Sequence, residues 1–166
     1  MAQRPLYLMA KLPPEILAAV WALPRTDKSR RPNSFHITLL QLPDLNDVPE
    51  KFLPFLIRLL DGFIGSAFDL ELDRIVEGRF VGLWSSRPTQ GARALQTSLT
   101  DYLTAQNFPY FGAAPEAHVT IKYRWDGAGN ERIRPIAWTV DRIVLVESVK
   151  GRHIPHGSWP LHTRID

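Results

Sequence analysis

Two short stretches of the chain carry one pattern: Phe35-His36-Ile37-Thr38-Leu39 and Ala117-His118-Val119-Thr120-Ile121. In each, an apolar run is interrupted at alternate positions by a histidine and then a threonine. An extended strand sends successive side chains to opposite faces. Phe35, Ile37 and Leu39 are therefore expected to face a core, with His36 and Thr38 on the other side. The second stretch divides the same way, with Ala117, Val119 and Ile121 inward and His118 and Thr120 outward. Lying about half the chain apart, the two copies predict two similar halves, each giving one such strand to a shared groove.

At 166 residues the chain suits one domain, or two small lobes around one core. Its 45% hydrophobic and 22% charged residues are ordinary for a globular protein. No apolar run is long enough to span a bilayer, and residues 1–12 carry no signal-peptide pattern, so a cytoplasmic protein with no membrane partner is expected. The chain has no cysteine, which excludes disulfides, thiolate zinc sites and cysteine nucleophiles and is compatible with a reducing compartment. A net charge of +3 tolerates an anionic ligand but is not the footprint of a protein that coats DNA non-specifically. Fourteen prolines imply many fixed corners.

Periodicity and turn residues predict a strand over 6–11 and a helix over 15–23, opened by Pro13-Pro14. A polar, basic loop follows over 24–33, then the first His/Thr strand over 35–42. A second helix is expected over 49–64, with Pro54 in its first turns, then strands over 68–72 and 80–84. Leu95, Leu99 and Leu103 give a third helix, over 92–106, its apolar stripe. The second His/Thr strand is expected over 117–124, followed by a turn over 126–130 and one long strand over 136–146. A polar loop over 148–157 leads to a closing strand over 158–163. Three helices and seven or eight strands imply an α+β fold. The expected architecture is bilobed, with two pseudo-symmetric antiparallel sheet lobes, helices outside and a central cleft. Residues 1–166 then form a single domain of two intertwined lobes.

Histidine titrates near neutrality, so one imidazole can take a proton from an attacking water while its protonated partner supplies one to a departing oxygen. Threonine hydroxyls can donate to the non-bridging oxygens of a phosphate, which gain charge in the transition state. Two His/Thr pairs on one face thus suit the opening of a cyclic phosphodiester. The scheme calls for no metal or other cofactor, and no carboxylate-rich cluster suggests one. A single His-x-Thr is usually a surface histidine beside a strand-favouring threonine. Its repetition in the same apolar frame is what points to catalysis.

These residues resemble the two-histidine (2H) phosphoesterase superfamily, and within it the bacterial 2′-5′ RNA ligase / RNA 2′,3′-cyclic phosphodiesterase family. Residues 30–39 look like that family's first motif with its lead-in. Phe80-Val81-Gly82-Leu83-Trp84 looks like the intervening strand, residues 115–121 like the second motif, and Ile143-Val144-Leu145-Val146-Glu147-Ser148 like the late strand. The resemblance implies hydrolysis of a 2′,3′-cyclic phosphate, on an RNA end or a small cyclic nucleotide, to a 2′-phosphomonoester. It implies His36 as proton donor and His118 as acceptor, Thr38 and Thr120 on the phosphate, and reversible 2′-5′ ligation as an accompanying activity. It implies neither metal nor nucleotide cofactor, and a monomer is expected. Competing substrates are another cyclic or 2′-5′-linked nucleotide, such as ADP-ribose 1″,2″-cyclic phosphate. A non-catalytic RNA-end binding module is the rival from another class. The chain departs from the family pattern at Ala117, often proline, and at Tyr123, often arginine. Lys122 and Arg124 are then the candidate phosphate cations.

Tyr110, Phe111, Tyr123 and Arg152 are candidate contacts to a base or to other parts of the substrate. Trp84 offers the same choice between base contact and core. Arg25, Lys28, Arg30 and Arg31 either guide an RNA backbone or form a charged, mobile loop, and the loop reading is the more ordinary. His153, His156 and His162 read as surface histidines rather than a metal site. The segment 148–157 is a candidate lid, through Arg152 or His156.

Overall fold

The computed structural model describes residues 1–110, 112–113 and 116–163. Nine strands and three α-helices follow one another in the order β1 (Pro5–Lys11), α1 (Pro14–Trp21), β2 (His36–Asp44), α2 (Phe52–Asp61), β3 (Phe68–Glu77), β4 (Val81–Trp84), α3 (Gln90–Ala105), β5 (Gly112–Ala113), β6 (Val119–Lys122), β7 (Glu131–Val140), β8 (Arg142–Val149) and β9 (Arg152–Pro160). All the strands within this sheet pair antiparallel, in the order β7-β3-β4-β6-β2-β1-β8-β9, with β5 added to β2.

That order is two similar sets of four. Counted outward from the middle, one half runs β2, β1, β8, β9 and the other β6, β4, β3, β7. In each half a strand, a helix and a His/Thr strand come in the same order, β1-α1-β2 and β4-α3-β6, the second with the short β5 between helix and strand. The halves meet where Ile37 of β2 pairs with Val119 of β6. This is the bilobed α+β architecture, with antiparallel sheet and helices packed outside it.

Periodicity in the two His/Thr stretches places the core as expected. Phe35, Ile37, Leu39, Ala117, Val119 and Ile121 are all buried. The stripe Ala92, Leu95, Leu99 and Leu103 of α3 packs on that face, and Gln96 Nε2 donates to the carbonyl of Leu39 on β2. Helix α2 buries Phe52, Leu56 and Leu60, spaced four apart, and tolerates Pro54 within its first turn, where no intrahelical N–H bond is lost. No helix among the described residues is long and apolar enough to cross a membrane.

Two expectations are corrected. The long strand over 136–146 is two strands that part at Asp141: β7 pairs with β3 in one half, and β8 with β1 and β9 in the other. Apolar β-branched residues stand on both sides of the crossing, with Val140 before it and Ile143 after it both buried, so local pattern does not mark it. The loop over 148–157 is instead the turn and first part of a β8–β9 hairpin. Its corner is Lys150-Gly151, with φ of 49° and 76°; positive φ at both residues is the tight turn that fits the twist of paired strands.

Candidate active site

Pairing of Ile37 with Val119 sets His36 across from Thr120 and Thr38 across from His118, all four on one face at the joint of the halves. Neighbouring strands extend this into two rows. One contains Gly82, Thr120, His36 and Lys11; the other contains Trp84, His118, Thr38 and Met9. Diagonal neighbours in such a ladder have Cα atoms roughly 7–8 Å apart, so both imidazoles reach one phosphate-sized ligand.

Each ring is oriented by its own backbone. His36 Nδ1 lies 2.6 Å from the carbonyl of Ser34, and His118 Nδ1 lies 2.9 Å from that of Glu116. A carbonyl only accepts, so each Nδ1 donates and each Nε2 is left to face the cleft, a lone pair when the ring is neutral and a proton when it is charged. Thr38 Oγ1 lies 3.1 Å from His36 Nε2. The segment carrying the Glu116 carbonyl is held by α3 and the residue before it: the Glu116 carboxylate accepts from Thr89 Oγ1 at 2.6 Å and pairs with Arg93.

Aromatic packing supports His118. Its ring stacks on Trp84, with centroids 4.3 Å apart, and on Phe80 at 5.1 Å. Gly82 lies between these two on the same face; a Cβ there would come 2.8 Å from Trp84 Nε1 and 3.0 Å from the Phe80 ring. The glycine lets both rings lean together. Trp84, undecided between base and core from sequence, is a platform for the histidine.

The site is cationic. Burial pushes the pKa of His36 down to about 4; the bond to the Ser34 carbonyl opposes this, and the nearby Lys11, Arg30 and His118 reinforce it. Burial also lowers His118. Lys11 Nζ donates to the carbonyl of Asn33 at 2.7 Å and to His153 Nδ1, and burial lowers its pKa to about 8. The ring of His153 packs edge-on against that of His36, centroids 5.0 Å apart. Arg30 donates to the carbonyl of Thr120, with its guanidinium 4.3 Å from the Phe35 ring centroid and 4.7 Å from that of Tyr123.

Lys11, Arg30, Phe80, Gly82 and His153 were not assigned to the site by sequence reasoning. Lys11 is the last residue of β1 and meets His36 only through the β1–β2 register. His153 arrives through the β8–β9 hairpin, where the sequence predicts a loop, so its reading as a surface histidine is corrected. Arg30 belongs to a segment read as a mobile basic loop, and three of its four cations are bonded to the fold. Arg25 binds Asp126 at 2.8 Å, Glu77 at 3.3 Å and the Gly129 carbonyl at 2.6 Å. Lys28 donates to the carbonyls of Trp21 and Leu23.

The remaining sequence candidates are more dispersed. Lys122 continues the face of His118 and Thr120, with its ammonium 3.8 Å from Asp126. Arg124 is exposed beyond the end of β6, and Tyr123 is exposed over Arg30. Tyr110 packs against the core with its hydroxyl 3.3 Å from Thr104 of α3, so its contacts are with neither histidine. Phe111 lies outside the described residues. Arg152 is exposed at the start of β9. His156 binds the buried Glu147 at 2.8 Å, in a cluster shared with Arg4. No three His, Asp or Glu side chains among the described residues converge as metal ligands.

No family model and no curated protein matches the chain. Solved structures do. Escherichia coli LigT in complex with 3′-AMP is 22% identical, with TM-score 0.70 over 97% of this chain and 99% of LigT; LigT is also known in complex with phosphate. A crystal structure described as a phosphoesterase is 21% identical, with TM-score 0.71 over 97% and 99% of the two chains. A protein of Thermus thermophilus is 20% identical, with TM-score 0.68 over 95% and 97%. At these identities the likeness is one of fold, along essentially the whole chain.

Proposed function

We propose that the chain is a two-histidine (2H) phosphoesterase that hydrolyses 2′,3′-cyclic phosphodiesters, on RNA ends or small cyclic nucleotides, to 2′-phosphomonoesters. One observation carries the reading: His36, Thr38, His118 and Thr120 share a single face at the joint of two similar halves, each imidazole with its Nε2 forward. The fold shared with LigT, a protein crystallised with phosphate and with 3′-AMP, supports it.

Thr38 and Thr120 hydroxyls donate to the non-bridging oxygens. His118 Nε2 removes a proton from water as its oxygen bonds to phosphorus, and His36 Nε2–H protonates the departing 3′ oxygen as that P–O bond breaks. The same sequence with a 5′-hydroxyl in place of water, its proton taken by His118 and its oxygen bonding to phosphorus as the 3′ oxygen leaves, is the route to 2′-5′ ligation. Lys122, with Arg124 beyond it, supplies positive charge at the rim.

The test is turnover of adenosine 2′,3′-cyclic phosphate and of an RNA ending in that group, with EDTA present and the product read by phosphorus NMR. Hydrolysis should fall about 10²–10⁴-fold in His36→Ala and in His118→Ala. Tight binding of either compound by the wild type without turnover would instead identify a binding module.

A further inference from the structure

Lys11 and His153 lie beside the histidine pair with no part in the hydrolysis described above. Both are half-buried. Among the described residues no carboxylate pairs with either; their polar and ring partners are each other, the Asn33 carbonyl and the His36 ring. The acid on the adjoining strand, Glu147, is occupied by Arg4 and His156. A half-buried cation with no counter-charge is costly unless an anion completes the site.

The donors are also set. A lysine ammonium has three N–H donors and no acceptor, so His153 Nδ1 accepts from it and the neutral ring carries its proton on Nε2. Two of the three lysine donors are used, on Asn33 and His153. One lysine N–H and the His153 Nε2–H are therefore left, on a hollow of about 320 Å³ whose walls include Leu12, Phe35, Val146 and Pro155. The hollow is otherwise mostly apolar, so a charge-assisted contact inside it is little screened.

We propose that Lys11 and His153 form a second phosphate subsite, which takes the 5′-phosphate of the nucleotide whose cyclic phosphate lies between His36 and His118. The identity of the first phosphate rests on the phosphodiesterase reading; the second subsite rests on the Lys11–His153 geometry. The 5.0 Å between the His36 and His153 rings suits two phosphates carried by one ribose. The preferred substrate is then a nucleotide phosphorylated on its 5′ side, either as a monoester or as the diester linking it to the preceding nucleotide of an RNA.

Calorimetric titration tests this without turnover. Adenosine 3′,5′-bisphosphate should bind wild-type protein about tenfold or more tightly than adenosine 3′-monophosphate, as expected for one charge-assisted contact. That ratio should fall towards one in Lys11→Met and in His153→Gln. A merely structural role would weaken both ligands alike and keep the ratio. Equal affinities in the wild type, or a ratio that survives both substitutions, overturn the proposal, and the wild-type comparison decides even if one variant fails to fold. In the kinetic arm, adenosine 2′,3′-cyclic phosphate is compared with its 5′-phosphorylated form and with a dinucleotide ending in the cyclic phosphate; KM should be lower for both extended substrates. A preference for the dinucleotide alone would overturn recognition of the monoester. If the bisphosphate ratio holds but nothing is hydrolysed, the function fails and the subsite stands.

Discussion

Both imidazoles are tied through Nδ1 to the carbonyl two residues earlier, so one backbone device, used twice, fixes which nitrogen meets the substrate. The protein environment then lowers both pKa values, His36 to about 4. At neutral pH the free protein holds two neutral rings, and the reactive form with one of them protonated gains population as pH falls. The profile of kcat/KM should therefore be a bell with its maximum below pH 6.5, the two limbs belonging to the pair. A maximum above pH 7, or a flat profile from pH 5 to 8 with chemistry rate-limiting, would count against paired histidine catalysis. Trp84 offers a second check, because its indole holds the His118 ring in place. Trp84→Leu keeps apolar bulk and removes the stacked face, so kcat should drop at least about tenfold with KM little changed, as for a positioning residue. The four His/Thr side chains were legible because strand alternation alone decides their face. The rings that support His118 were not, since Phe80 and Trp84 meet it only through the β4–β6 register and the gap left by Gly82.

At the scale of elements, the β8–β9 hairpin is where sequence and structure part. Polar residues and glycine around 148–157 read as a loop because Lys-Gly is a weaker turn signal than Asn-Gly, while the alternation of β9 is diluted by its mostly exposed position. Yet this hairpin carries His153 to His36. Gly151 has φ of 76°, a conformation that costs a β-branched residue about 1–2 kcal/mol. Gly151→Val should lower stability by about that amount in chemical denaturation. It should also weaken binding of a nucleoside bisphosphate more than binding of a monophosphate, because the strand that presents His153 starts at the next residue. Loss of stability with the bisphosphate preference intact would show that the hairpin corner and the Lys11–His153 hollow are independent. The split between β7 and β8 has a related cause: a single residue, Asp141, separates the two strands, and the buried Val140 and Ile143 on either side keep the apolar pattern running across it.

Over the whole molecule, the two halves bring together at one seam more positive and titratable groups than either carries alone. Lys11, Arg30, His36, His118 and His153 come from separate segments of the chain, and this convergence sets how the fold responds to acid. His36 and His153 both bind protons near pH 4 in the folded state, against about 6.5 in an unfolded chain. Between these values the unfolded chain holds more protons, so stability falls as pH drops from about 6.5 towards 4 and is insensitive to these groups above that window. Carboxylates held below their ordinary range, such as Asp27, Asp73 and Glu147, lose their contribution at lower pH, which separates the two effects. The wild-type melting temperature should therefore fall more between pH 7 and pH 5 than that of a His36→Gln, His153→Gln double variant, at about 2–4 °C per kcal/mol for a chain of this size. Inorganic phosphate binds the protonated seam best, so it should raise the wild-type melting temperature more at pH 5 than at pH 7.5 and raise that of the double variant less. Parallel losses in the two proteins, or a phosphate effect independent of pH, would mean that the charges gathered at the seam do not act on one another.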